Sequence, residues 1–315
     1  MRKKKSKKVT KKRSQKTYRS LLFPRLTIMS LLGLLLFGIF FQRSPTIKLQ
    51  SNIQTLPKTL TLRREATPTQ TVLPEKKPHA LIAKALADDS KPQEYCINVP
   101  ILFYHHVQPI AEAMVLGHAQ FTVDSEIFRT QMEYLKANTY TAVSLDSIVD
   151  AIINRRSLPS KPIALTFDDG FADMYQYAYP LLKQYGFIGN FAIPTGLLGA
   201  TDYMTWDQVT EIARDQNMRV YNHSFMHAGL KYISKDEVSD EITIAQKDIQ
   251  EKLGLRSNIF VYPFGEYNQQ VLEELRSHGY IAAASTLPGI LQCESELMFL
   301  RRIRIGNVPL SFYGL

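Results

Sequence analysis

A parallel α/β fold is predicted for the C-terminal two-thirds of this chain, on three observations. From Cys96 onward, short apolar runs alternate with amphipathic stretches of helical period over about 220 residues. Capping boxes open two of the amphipathic stretches. The residues able to do chemistry gather where apolar runs end. Such alternation implies a parallel sheet with helices outside it, and a βα barrel or an open doubly wound sheet both fit. In either, ligands collect where strands end and loops begin.

The predicted strands, in order, are 99–104, 140–143, 163–167, 187–193, 219–221, 259–262, 280–285 and 300–305. Between them, 125–136 places Ile127, Phe128, Met132 and Leu135 on one helical face. Thr205-Trp206-Asp207-Gln208 and Ser234-Lys235-Asp236-Glu237 each read as a capping box, a hydroxyl followed three residues later by Gln or Glu.

The segments before the folded part are of another kind. The chain has 315 residues and a formal charge of +9. Residues 1–25 carry 12 Lys and Arg and no acid, which leaves 26 basic and 29 acidic side chains over the rest, a net of −3. The basicity therefore belongs to a tail, and nucleic acid is not the expected partner. Next comes 26–41, LTIMSLLGLLLFGIFF, without a charge. It is short of the ~20 residues of a usual span, and 21–23 lengthen it across Pro24 and Arg25. Gln42-Arg43-Ser44-Pro45 offers no small-x-small cleavage site. A single-pass transmembrane signal anchor is expected, with the basic end cytoplasmic and the remainder outside the cell membrane. Residues 42–94 hold six prolines and many Thr and Lys, and read as a disordered, solvated stalk. The folded domain is expected over 95–315. Its two cysteines, Cys96 and Cys293, exclude a disulfide scaffold or a multi-Cys zinc cluster. In an exported domain they form either a disulfide joining its ends or two free thiols.

Three strand ends carry candidate chemistry. Leu165-Thr166-Phe167-Asp168-Asp169-Gly170 sets two carboxylates side by side, which repel unless a cation or proton resolves the conflict; Asp-Gly is also a common turn pair. Asn222-His223-Ser224-Phe225-Met226-His227 spaces two imidazoles at i and i+4, on one face if helical and able to share a metal. A structural His pair is the plainer alternative. Two His and one Asp make the three-ligand, open-position set of a catalytic divalent site. The third end, Tyr104-His105-His106-Val107, offers an acid–base group near neutral pH. His79, His118 and His278 have no comparable setting.

These motifs resemble the NodB-homology polysaccharide deacetylases, carbohydrate esterase family 4. The resemblance rests on TFDDG at 166–170 and HSFMH at 223–227, framed by VPILFYHHV at 99–107, MTWDQ at 204–208 and VYPFG at 261–265, and covers about 95–310. It is similar to the branch that deacetylates poly-N-acetylglucosamine, with relatives acting on peptidoglycan. The resemblance implies a distorted (β/α) barrel and a divalent metal, usually Zn2+, with Co2+, Ni2+ or Mn2+ as substitutes. It implies Asp169, His223 and His227 as metal ligands, Asp168 as general base and His105 as general acid, with His106 at a variable position. Tyr262, Pro263 and Phe264 match the loop that offers a backbone N–H to the acetyl oxygen, and Tyr104, Tyr262, Phe264 and Trp206 are candidate stacking faces. The family's Arg before that loop, its Asp–Trp pair and its late Leu-x-His are absent; Phe260-Val261-Tyr262 and Leu300-Arg301-Arg302 stand there instead. The group that orients Asp168 is thus unassigned.

The expected activity is metal-dependent N-deacetylation of an extracellular N-acetylglucosamine polysaccharide. The same site would serve an O-acetyl esterase on xylan or wall sugars, and the missing supports would suit a non-catalytic glycan-binding assembly factor. Composition and motifs leave the oligomeric state open.

Overall fold

The structure, a computed structural model, describes residues 94–315. The expected tail, anchor and stalk, as far as residue 93, lie outside the described residues; among the described residues no helix is long and apolar enough to cross a membrane. The strands are β1 (Cys96–Asn98), β2 (Ile101–Tyr104), β3 (His106–Val107), β4 (Thr122–Val123), β5 (Thr141–Ala142) and β6 (Pro162–Phe167). There follow β7 (Gly189–Ile193), β8 (Met218–Asn222), β9 (Ile259–Val261), β10 (Ala282–Ala284), β11 (Leu291–Cys293) and β12 (Ile303–Arg304). The α-helices are α1 (Ile110–Leu116), α2 (Ser125–Ala137), α3 (Leu145–Ile153), α4 (Tyr179–Tyr185), α5 (Trp206–Arg214), α6 (Lys235–Leu253) and α7 (Gln269–Ser277).

The main sheet runs β10-β9-β8-β7-β6-β2-β12, all parallel, with β5 beside the start of β6. It curls into a half-barrel, as expected of the barrel alternative and not of the open sheet. Its two edges meet through residues just before β12. Leu300 bridges Ala284 of β10, and Leu300 N–H and Ser285 N–H each donate across that seam, at 2.9 and 3.0 Å. This explains why the strand expected at 300–305 is regular only at Ile303–Arg304: its first half crosses from β10 to β2.

Side-chain alternation along β6 sorts structure from chemistry. Ile163, Leu165 and Phe167 point into the cluster formed with Phe128, Met132 and Leu135 of α2 and Leu182 of α4. Ala164 faces the opposite way, into the cluster with Ile101, Ala192, Val261, Ala284 and α3. A period of two then places Thr166 and Asp168 on Ala164's inner side. The outer, large side chains anchor the strand by apolar burial, each ~1.5–3 kcal/mol. They leave its inner end free for polar groups.

Local signals behave as expected. Asp124 caps α2, accepting from Glu126 N–H, and of its expected apolar face only Ile127 is part-exposed. Both capping boxes are formed, at Thr205/Gln208 and Ser234/Glu237. Cys96 and Cys293 are joined by a disulfide, in register on the antiparallel pair β1–β11. The bridge closes a sequence separation of 197 residues. Replacing both cysteines by Ser should lower the unfolding free energy by about 2–5 kcal/mol. Urea midpoints with equal slopes would measure this, and coincident curves would show that the bridge contributes nothing.

Candidate active site

At the C-terminal ends of β2, β6, β8 and β9 a cavity of about 310 Å³ is lined by His105, Asp168, Asp169, His223, His227, Tyr262 and Phe264, among others. Seven of the eight sequence-predicted catalytic, ligand and loop residues thus converge. Pro263 is buried and does not line it. Tyr104 lies in the outer core with its hydroxyl donating to Gln131, and Trp206 begins α5 half-buried away from the cavity. Neither lines the cavity: the stacking role expected of Tyr104 is corrected by its place in the core, and Trp206, for which core packing was the equal alternative, does not face the site.

Asp168 remains in the β6 ladder, its N–H donating to the Tyr104 carbonyl at 2.9 Å. The next residue breaks away. Asp169 has φ 72° and Gly170 φ 70°, so the chain turns sharply and the second carboxylate swings clear of the first. Asp tolerates this left-handed conformation better than most residues. The two imidazoles also converge through turns. Residues 223–227 do not take the helical option; Ser224 (φ 67°) and His227 (φ 55°) bend the segment instead. Glu241 of α6 holds that bend by accepting from Phe225 and Met226 N–H.

His223 Nε2 and His227 Nε2 lie 3.1 and 3.0 Å from the same oxygen, Asp169 Oδ1. His223 Nδ1 is 2.7 Å from the Val261 carbonyl. A carbonyl only accepts, so Nδ1 carries the proton and the Nε2 lone pair of the neutral ring faces Asp169. A lone pair beside a carboxylate oxygen is repulsive unless a positive charge sits between them. Burial raises the Asp169 pKa, but the two imidazoles more than offset this and hold it well below the usual carboxylate range. Burial lowers that of His223, and Asp169 with Asp168 overcomes it, leaving it raised. The ligand atoms lie within 4.8 Å of one another. Two imidazoles and a carboxylate converging with one side open suit a catalytic divalent ion, Zn2+ in particular.

Asp168 faces a residue that sequence reasoning passed over. Arg302 Nη1 donates to Asp168 Oδ1 at 2.9 Å, and Nη2 lies 2.8 Å from Oδ2. The guanidinium is fully buried, its Nε donating to the Ser285 carbonyl and Nη1 also to Thr166 Oγ1, with the Phe103 ring 4.4 Å beneath it. Burial raises the Asp168 pKa; Arg302 and His223 outweigh this and lower it. Leu300-Arg301-Arg302 carries no His, and its signal is an Arg pair ahead of the final strand, where part-exposed Arg301 binds Glu296 and Arg302 turns inward.

His105 lies at the end of β2 and makes no side-chain hydrogen bond among the described residues. Burial lowers its pKa, against the pull of Asp168 and Asp169. In the opposite loop Tyr262 N–H is committed to the Ala284 carbonyl, and Gly265 and Glu266 N–H to loop carbonyls. Pro263 has no N–H, so Phe264, at φ 59°, holds the loop amide that makes none of these bonds. Its ring stands edge-on to His227, centroids 4.5 Å apart.

Residues 155–283 match the family profile described as polysaccharide deacetylase. The segment 155–283 thus carries a polysaccharide deacetylase domain. The Bacillus subtilis (strain 168) protein YxkH is 26% identical over 209 residues, 66% of this chain and 72% of that one. The Escherichia coli (strain K12) poly-β-1,6-N-acetyl-D-glucosamine N-deacetylase is 26% identical over 231 residues, 60% of this chain but only 34% of that enzyme. The Streptococcus pyogenes deacetylase PplD, solved with acetate, superposes with a TM-score of 0.63 at 27% identity, over 67% of this chain and 93% of that one. The profile match of this deacetylase includes both Asp, both His ligand candidates and the 262–264 loop. His105 and Arg302 lie outside it, on either side.

Two outcomes test the site. Arg302→Met strands the Asp168 carboxylate in the interior and should cost about 3–5 kcal/mol. Adding Asp168→Asn should restore much of that stability in urea unfolding; no recovery would mean the pair is not the source. Asp169→Asn keeps the shape and removes the charge. In equilibrium dialysis it should weaken Zn2+ binding by more than the ~10–100-fold typical of losing an outer partner.

Proposed function

We propose that this deacetylase removes N-acetyl groups from N-acetylglucosamine units of an extracellular polysaccharide, poly-N-acetylglucosamine or peptidoglycan, in a metal-dependent hydrolysis. The observation that carries the proposal is the joint presence, in one cavity, of an Arg-held carboxylate, an Asp-His-His ligand set and a separate imidazole. The E. coli relative, by its name, acts on the first of these polymers. A divalent ion held by Asp169, His223 and His227 would acidify a water and polarise the acetyl carbonyl.

The chain's own residues supply the rest. Asp168 takes the water's proton, and Arg302 keeps its carboxylate ionised and aimed. The Phe264 N–H is placed to donate to the oxygen on which charge develops; losing such a donor typically costs ~2.7–4 kcal/mol. His105 gives a proton to the departing nitrogen, without which an amine anion would have to leave. Acetate and a free amine are released.

For location, we read the 1–25 tail and 26–41 apolar stretch as a signal anchor, with the domain outside the membrane. The Cys96–Cys293 disulfide supports an oxidising, exported setting. Acetate release from N-acetylglucosamine oligomers should stop with chelator and return with Zn2+. Asp168→Asn should lower kcat by ~10²–10⁴-fold while Zn2+ still binds. Release from O-acetylated xylan alone would replace the amide reading with the esterase one. Metal and glycan binding without any release would sink the catalytic claim.

A further inference from the structure

His106, the neighbour of the expected acid, is held differently from His105. Its ring is 4% exposed and its Nδ1 lies 2.5 Å from Asp173 Oδ2. It is stacked between Phe171, at 3.9 Å and 21°, and His118, at 4.4 Å and 17°. Tyr203 continues the row beyond Phe171 at 5.0 Å. His118, which had no functional setting in the sequence, thus stands on the cavity wall beside His106 and Phe171. The stacking fixes the plane of the His106 ring and Asp173 fixes its rotation within that plane. Asp173 itself does not line the cavity, so it supports the ring from behind.

This arrangement exceeds what packing requires. Burying a carboxylate is costly, and burial outweighs the His106 hydrogen bond in raising Asp173's pKa. An apolar ring would fill the same slot at no such cost. What the imidazole adds is Nε2, the polar atom left over once Nδ1 is taken. At about 310 Å³ the cavity is small for a ligand site and suits one sugar unit rather than a run of them. A group locked in its wall meets the unit being deacetylated.

We propose that His106, held by Asp173 and the ring stack, is a substrate-positioning residue. Its Nε2 hydrogen-bonds a ring hydroxyl of the bound glucosaminyl unit, so that the site takes a hydroxylated pyranose in preference to a simple acetyl compound. This rests on the deacetylase reading above. His105 keeps proton transfer; His106 reads the sugar.

The test uses the full chain loaded with Zn2+ and pairs two substitutions. His106→Asn keeps a donor near Nδ1 for Asp173 and removes the atom at Nε2; His106→Gln does the reverse. On a β-1,6-linked N-acetylglucosamine pentamer, His106→Asn should raise KM about tenfold with kcat within threefold, and His106→Gln should recover part of the loss. On 4-nitrophenyl acetate, which lacks ring hydroxyls, the loss from His106→Asn should be several-fold smaller. Equal falls in kcat on both substrates would assign His106 to proton transfer and overturn the proposal. Equal thermal destabilisation by both variants, without a KM shift, would make it structural and also overturn it. Pentamer affinity, measured calorimetrically in an Asp168→Asn background with and without His106→Asn, separates the two claims. A tenfold weaker Kd supports the positioning role even if the wild type releases no acetate, and an unchanged Kd defeats it whatever the activity.

Discussion

The buried contact between Arg302 and Asp168 ties together strands 134 residues apart in sequence, and most of the catalytic geometry depends on it. A guanidinium taken out of water is tolerable only where its donors are answered. Here a carboxylate, a threonine hydroxyl and a backbone carbonyl answer those of Nε and Nη1, and Nη2 lies 2.8 Å from the same carboxylate. Those partners come from β6, two strands in from the β12 edge, and from the end of β10, the opposite edge, which residue 300 bridges. The ion pair therefore braces the curled sheet at the point where its edges meet. It also keeps the proposed base charged and pointed in one direction. Folding and chemistry share a single interaction, and losing it would be felt in both.

The adjacent carboxylates resolve their repulsion by leaving in different directions. Asp168 continues the strand and meets a fixed cation from the protein; Asp169 enters a left-handed turn and meets two imidazoles that call for a mobile one. Two neighbours in sequence thereby occupy separate electrostatic environments, each with its pKa held down by a different set of partners. The proposed division of labour between a base and a ligand would follow from one backbone torsion.

Much of this was legible in the residues because it is local. Capping boxes at Thr205 and Ser234, the apolar face of α2 and the period of β6 depend on neighbours within a few positions, and all appear as expected. The carboxylate pair and the two imidazoles were visible as motifs, and the resemblance to a family supplied their partnership. What escaped notice was non-local. Arg302 looks like any basic residue next to Arg301, and only the strand crossing at Leu300 turns it inward. His118, in a loop after α1, gains meaning from a ring that stacks on it from β3. The path between His223 and His227 stays conditional on a helix at the level of sequence and proves to be a turn, because i, i+4 spacing has the same signature in both. Spacing records separation along the chain, and it is silent on the path between.

The disulfide has a mechanical consequence. Cys96 lies two residues into the described part of the chain, and its partner Cys293 sits on the short antiparallel pair outside the main sheet. Tension applied through the preceding segment meets the covalent bridge before it reaches β2, the strand that carries His105. The pull is diverted into β11, and the wall of the cavity is spared the strain. A load borne along the chain before Cys96 would be taken up by a part of the fold outside the cavity, and the residues gathered there would keep their alignment.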